Sequence, residues 1–337
     1  ISWGGLYEIS PFASAGGGQQ YQLTGLRAET QLTSAIVDVT TAGTTGVAFV
    51  AGHSEDVPQA LEDLVRNSNY ETSRVVLGVD EIDEDVKTLV IAGAKRDLSE
   101  RELEILDAFM AAGGNLMVFR DPTVESLPNL DGYLQEWGLT VEDRIVLEPS
   151  QQMDSPLNII PLFGVSMINT YFSEQSTYLV MPESRQISIS QVNGCLTNEV
   201  LRSTSSSYGK DFQEMDSLER AADDASGPFT VAATSERTYE AEGESRTQYV
   251  FLAACTGMYQ PSYLETDSLG NADFVLQVLS YMNDHSVALN IPTKDLSASD
   301  ISISWASTVA FAAVFVVVLP LGLLAVGVAV FLKRRHS

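Results

Sequence analysis

Two cysteines and three histidines are all that 337 residues offer of the side chains that most often attack carbonyls or hold transition metals. A cysteine-rich metal centre needs four ligands at short spacing, and Cys195 and Cys255 are far apart, so none is expected. His53, His285 and His336 are equally scattered, and no cofactor is expected. Basic residues are also scarce: 19 Lys and Arg stand against 45 Asp and Glu, for a net charge of −26. Phosphate binding needs a basic surface, which excludes nucleic acid as a partner. Anionic lipid headgroups attract basic segments and offer an acidic body nothing. The charge reads as solubility in an extracellular medium. Two motifs are missing as well. No G-x-S-x-G elbow occurs, and neither "GGG" at 16–18 nor "AGAKRD" at 92–97 has phosphate-loop spacing, so this chain is not expected to hydrolyse nucleotides itself. No signal peptide is visible before Ile1, and an upstream part is expected.

What is present is a folding chain, 45% hydrophobic and 19% charged, long enough for two domains. From Ile301 to Leu332 no charged residue occurs, and the run ends in "KRRHS". About 20 apolar residues cross a bilayer as a helix. Residues 301–332 are therefore expected to span the lipid bilayer. Lys333, Arg334 and Arg335 mark 333–337 as a cytoplasmic basic tail, with the bulk of the chain extracytoplasmic. Pro320 sits mid-span, and Gly322, Ala325, Gly327 and Ala329 are small residues that suit close helix packing.

Ahead of the span, 1–24 reads as an extended, loop-like segment containing "SAGGGQQ". "RAETQLTSAIVDVT" (27–40) has helical spacing through Leu32, Ala35, Ile36 and Val39. "GVAFVAG" (46–52), "RVVLGV" (74–79), "TLVIAG" (88–93) and "NLMVF" (115–119) read as strands; "GVAFVAG" in particular is a continuous apolar run, as in strands buried on both faces. Between them, "VPQALEDLVRNSN" reads as a helix with Asp56 as its cap and Pro58 in its first turn. Ser99 with Glu102 forms a capping-box pattern for the next helix, which Gly113 and Gly114 end. Alternating strands and helices predict a flavodoxin-like, three-layer α/β domain with a mostly parallel sheet over about 25–150. From 151 to 295 the ectodomain continues, strand-rich, with a strand–helix pair at 245–286 able to return to the first sheet. The polar stretch 207–227 reads as an exposed loop.

The stretch "LVIAGAKRDLSERELEILDAFMAAGGNLMVFRDP" (Leu89–Pro122) has the strand–loop–helix layout in which many enzymes hold a nucleophile. Here the turn offers Ala94, Lys95, Arg96 and Asp97, with neither Ser nor Cys. No catalytic residue is expected there. The candidates for ligand binding lie at the carboxyl ends of the strands, where open α/β sheets place ligands. They are Gly52, His53 and Glu55 in "GHSE", and Asp121 after "NLMVF". His53 is a natural base near neutral pH, and Glu55 is placed to orient it or bind a cation. The competing reading makes His53 and Ser54 a helix-capping turn and Asp121 a turn former. Cys195, in "QVNGCLTN", and Cys255, in "FLAACTG", read either as buried free thiols or as a disulfide in an oxidising compartment.

In order, "RAETQLTSAIVDVT", "VAFVAGHSED", "DEDVKTLVIAGAKRDLSERELEILDAFMAAGGNLMVFRDP", "LPNLDGYLQEWGL" and "GNADFVLQVLSYMND", followed by the apolar run and basic tail, resemble the Gldg family. These are auxiliary subunits of ABC transporters first linked with gliding motility, and the chain resembles their C-terminal portion. The match is poor over 151–245. The resemblance implies a fold related to the glutamine amidotransferases and partnership with an ABC permease subunit and a cytoplasmic ATPase subunit. It also implies that "ISWGGLYEIS" is the tail of an upstream domain. The expectation is a non-catalytic, membrane-anchored accessory subunit that binds substrate or partner subunits. Alternatives are an anchored extracytoplasmic hydrolase using His53 and Glu55, or a glycan- or peptide-binding module.

Overall fold

A computed structural model of the chain describes residues 7–13, 19–26, 45–170, 178–213, 215, 217–241, 244–266, 268–283 and 294–295. The helix expected at 27–40, the span at 301–332, the tail at 333–337, His285 and His336 lie outside the described residues. Among the described residues no helix is long and apolar enough to cross a membrane. Contacts divide the described residues into two units, one within 45–283 and the other made of 7–26 with 294–295.

In the smaller unit the stretch read as loop-like forms a hairpin. Strand β1 (Tyr7–Ala13) runs antiparallel to β2 (Gln19–Leu26). In the same sheet Lys294 and Asp295 pair with Leu26 and Gly25.

The larger unit is built on one twelve-stranded sheet. Its first half comprises β3 (Thr45–Val50), β4 (Tyr70–Val75), β5 (Val86–Ala92) and β6 (Asn115–Phe119), linked by helices α1 (Gln59–Asn67) and α2 (Glu100–Ala111). These strands pair in parallel in the order β4-β3-β5-β6. Helix α3 (Pro128–Glu136) leads to β7 (Leu139–Leu147), where the direction changes. The remaining strands of this sheet are β10 (Leu162–Phe163), β12 (Arg185–Ile189), β13 (Leu196–Arg202), β14 (Tyr208–Asp211), β15 (Ala225–Ser226), β16 (Thr230–Ala241) and β17 (Glu244–Ala253), while β8 (Gln152–Met153), β9 (Ser155–Ile159) and β11 (Met181–Pro182) form a separate three-stranded sheet. Helices α4 (Pro261–Leu264) and α5 (Asn271–Met282) complete the unit.

The hinge of this topology is the β16–β17 hairpin. Strand β17 enters the sheet parallel to β6, placing Val250 beside Leu116 and Ala253 beside Phe119. Its hairpin partner β16 then faces outward and runs the other way. Every strand added beyond it, β12 and β13 on β16, β7 on β12, and β14 on β7, is antiparallel. The sheet is thus parallel where strands alternate with helices, and the β16–β17 hairpin reverses the direction, so that the strands beyond it pair antiparallel with partners distant in sequence. The two chain segments on either side of residue 150 share this sheet and belong to one compact unit.

Alternate residues of the parallel strands feed two cores. Val47 and Phe49 point to one face, with Leu61 and Val65 of α1 and Phe274, Val278 and Leu279 of α5. Ala48 and Val50 point to the other, with Leu106 and Met110 of α2 and Leu130 and Leu134 of α3. Each fully buried Leu or Phe contributes roughly 1.5–3 kcal/mol relative to its exposed state. Polar side chains then set register. The buried Asn271 at the start of α5 accepts from Val180 N (3.0 Å) and donates to Val180 O (2.8 Å) and Met258 O (2.9 Å), standing in for a strand neighbour. At the other end of α5, Asn115 donates to Met282 O (2.7 Å) and accepts from Tyr249 N (3.0 Å).

Helix α2 carries the capping box that its sequence predicts, with Ser99 as N-cap and Glu102 reaching back. Ser99→Ala is expected to cost about 1 kcal/mol in chemical denaturation of the full chain. For α1 the expectation differs from the outcome: the N-cap position is Pro58, with no side-chain cap, and not Asp56. The stretch 207–227, read as an exposed loop, contains β14 and β15. Its Lys210, nearly buried, pairs with Asp224 at 3.0 Å.

Candidate functional site

The parallel strands end at one edge of the sheet. There the loop after β3 (Ala51 to Pro58), the loop after β5 (Gly93 to Leu98) and the loop after β6 (Arg120 to Leu127) come together with Cys255 to Tyr259 after β17. Gly52 (φ 116°) and Ser54 (φ 63°) hold the first loop in left-handed backbone, which glycine adopts freely and serine only under constraint.

The constraint is His53. Its side chain is 7% exposed and lies between two carboxylates. Nδ1 is 3.1 Å from Glu55 Oε1, and Nε2 is 3.1 Å from Glu102 Oε1 in the first turn of α2. The His53 amide donates to Glu55 Oε2 (2.8 Å). The His53 carbonyl accepts from Lys95 N (2.9 Å) and Arg96 N (3.0 Å), and Arg96 Nη2 donates to Gly52 O (2.6 Å). The hydrogen bond to Glu55 is the main reason the imidazole's pKa is raised; burial opposes it and Glu102 adds to it. Burial alone would push both carboxyls up. The bonds from His53 and the local backbone outweigh it at Glu55, and those from Ser99 and His53 do so at Glu102, so both are lowered. Two carboxylates at hydrogen-bond distance favour the imidazolium form, which donates from both nitrogens. A general base or metal ligand needs a free ring lone pair. This ring has both nitrogens committed, and it pins the β3 loop to the start of α2.

Asp121, the other acidic candidate, closes its own turn: Oδ1 accepts from Thr123 N (2.8 Å) and Thr123 Oγ1 (2.6 Å). The group beside it is Arg120, 1% exposed, which grips both carboxylate oxygens of Asp131. The structure therefore joins His53 to Glu55, and leaves Asp121 in a separate loop on the same edge.

Two residues at this edge carry no role in the reading of the sequence. Glu102 appears there only as a capping residue; its contact with His53 spans two parallel strands, and only the adjacency of β3 and β5 could have signalled it. The second is Tyr259, which is fully buried and packs edge-on against Phe119 at 5.0 Å. Its hydroxyl has no hydrogen-bond partner among the described residues. A Cβ at Gly93 would lie 2.8 Å from that hydroxyl and 3.9 Å from the amide nitrogen of Asp56. Burial, then the charges of Cys255, Asp56 and Asp121, raise the phenol's pKa, so it stays protonated.

The cysteines are free and buried, in line with the free-thiol reading of the sequence and not with a disulfide. They belong to hydrophobic clusters on opposite faces of the sheet, Cys255 with Phe119 and Phe274, Cys195 with Leu130 and Leu139. Cys255 donates to Pro182 O at 2.8 Å, and burial pushes its thiol up to about 12, which makes it a poor nucleophile. Cys195 accepts from Arg237 Nη2 at 3.2 Å, and that guanidinium stacks on Trp137 at 4.2 Å. Among the described residues no group of three or more His, Cys, Asp or Glu is arranged to hold a metal ion.

Residues 44–177 match the family model described as an ABC-type uncharacterized transport system. No curated protein matches the chain. Among solved structures, the mmIFT52 N-terminal domain is similar over 72% of this chain and 100% of its own, with 18% identity and a TM-score of 0.53, a likeness of fold. A cytoplasmic protein from Salmonella typhimurium (11% identity, TM-score 0.39) covers 71% of this chain and 98% of its own. A glutamine amidotransferase from Thermotoga maritima (9% identity, TM-score 0.38) covers 72% and 99%.

Proposed function

We propose that the chain is a non-catalytic, membrane-anchored auxiliary subunit of an ABC transporter, with its folded body outside the cytoplasm and its partners an ABC permease subunit and a cytoplasmic ATPase subunit. The observation that carries this reading is the family-model match over residues 44–177. The ordered resemblance to the Gldg family extends it toward that more specific group. The charge-free run from Ile301 to Leu332 followed by Lys333, Arg334 and Arg335 supports a single span with the C-terminus in the cytoplasm. The committed state of His53 supports a body that binds rather than one that turns over substrate, because both ring nitrogens already hold carboxylates. The acidic surface suits contact with basic loops of a partner protein more than with lipid headgroups.

Purification of the full chain from its own membrane in mild detergent is expected to bring an ATPase and a multi-span permease in fixed proportion. Recovery of the chain alone, or steady turnover of a small-molecule ester, amide or glycoside by the purified chain that His53→Ala abolishes, would sink this reading in favour of the anchored hydrolase.

A further inference from the structure

We propose that the loop from Gly52 to Asp56 is a pH-operated latch over the Tyr259 hydroxyl, held shut while the His53 ring donates to Glu55 and Glu102 together. This inference concerns the larger unit alone and stands whether or not the chain serves a transporter. Its first support is geometric. The loop turns through left-handed backbone at Gly52, which glycine permits, and at Ser54, where a side-chain-bearing residue holds that conformation only under outside constraint. The constraints are His53 and the bonds around it: two to carboxylates, two from Lys95 N and Arg96 N to the His53 carbonyl, and one from the Arg96 guanidinium to the Gly52 carbonyl. Its second support is what lies at the same edge. The Tyr259 hydroxyl is buried with no hydrogen-bond partner among the described residues, and it shares the space beside Gly93 with the Asp56 amide. A buried hydroxyl left unpaired costs free energy that water or a small polar ligand would restore. Opening the loop gives it that access.

The charged groups acting on the ring are few. Glu55 comes from the ring's own loop, Glu102 comes from α2, and the Arg96 guanidinium of the β5–α2 loop engages a neighbouring carbonyl. When the ring loses its proton, one nitrogen can no longer donate, and one carboxylate is left facing a lone pair inside a poorly hydrated site. The direction of coupling follows. The closed state holds the proton more tightly than the open state, where the ring has the ordinary pKa of about 6.5. The latch is fully engaged below that value and is lost as pH rises through the raised closed-state value. Between the two, the opening constant grows about tenfold per pH unit, because opening releases one proton.

Amide exchange at Lys95 and Arg96, corrected for intrinsic rates, reads this directly, since both amides donate to the His53 carbonyl. In the full chain in detergent, their protection is expected to fall as the imidazole titrates by NMR. His53→Gln, which keeps a donor but does not titrate, is expected to abolish the pH dependence. Glu102→Gln keeps the capping box, which accepts Gln, and is expected to bring opening to completion at lower pH; it serves if His53→Gln fails to fold. Protection that stays constant through the imidazole titration, or that falls equally in Glu102→Gln, overturns the proposal.

Discussion

Arg120→Ala is expected to remove about 3–5 kcal/mol from the unfolding free energy, the cost of breaking a buried ion pair from one side. The guanidinium is 1% exposed and spends its donors on four acceptors. Nε reaches Asp131 Oδ1 (2.9 Å) and Nη2 reaches Asp131 Oδ2 (3.2 Å), a two-pronged contact that lysine cannot reproduce. Nη1 holds the carbonyls of Asp121 (3.0 Å) and Val124 (3.2 Å). Alanine would leave the Asp131 carboxylate with its charge uncompensated, held by the Leu127 amide (2.8 Å), and loosen the loop from Asp121 to Leu127. Arg185, the second buried arginine, grips the same loop through the carbonyls of Val124 (2.8 Å) and Glu125 (3.2 Å) and pairs with Asp143. It limits the damage, and relief of repulsion between the two guanidinia works in the same direction. Denaturant titration of the full chain measures the loss. The Arg120→Ala, Asp131→Ala double variant is expected to lose less than the sum of the single losses, because the second change removes the stranded charge. A loss under about 1 kcal/mol for Arg120→Ala would show that the pair is not a structural anchor.

The parallel half of the sheet was legible because its strands are buried on both faces. Every residue of "NLMVF" in β6 is buried, and so is Val47 to Val50 in β3. Such runs announce themselves without periodicity, and the capping box of α2 is a local pattern read within four residues. The antiparallel half was not legible for the opposite reason. In β13 only the last part is buried, and β7 is exposed in its middle. These strands exist because of partners distant in sequence: β7 holds both β12 and β14, and β16 holds both β12 and β13. Lys210 illustrates the failure. A lysine in a polar stretch reads as solvated, yet Asp224, fourteen residues on, receives it in a nearly buried pair. At the candidate site, Glu55 was found because it is two residues from His53. Glu102 was missed as a partner because the fold, and no local spacing, brings α2 to the β3 loop. Asp121 was singled out for its place after a strand, but its neighbour Arg120 is the residue that organises the loop.

Glu148→Gln is expected to cost about 2–4 kcal/mol at neutral pH and to flatten the acid limb of the stability curve, because Glu148 is a buried carboxylate satisfied by donors alone. Its side chain is fully buried. Oε1 accepts from Ser150 N (3.0 Å), Ser150 Oγ (2.7 Å), Gln151 N (3.3 Å) and Ser206 Oγ (3.1 Å), and Oε2 accepts from Thr204 N (2.8 Å). Two loops, after β7 and after β13, are thereby tied to one carboxylate. Burial alone would push its pKa up; the donors of Ser150 and Thr204 reverse this and hold it below the usual carboxylate value. A lowered folded pKa means that the stabilisation is present above the ordinary carboxylate pKa and is lost as pH falls through the depressed one. Glutamine keeps the shape but presents an NH2 to backbone donors on one side or the other, and flipping the amide only chooses which loop is left facing it. Denaturation midpoints of wild type and variant, measured from pH 7 downward, should therefore converge as the native carboxyl takes its proton. A gap that stays constant across that range would mean the difference is steric, and that the charge on Glu148 contributes nothing to holding the two loops together.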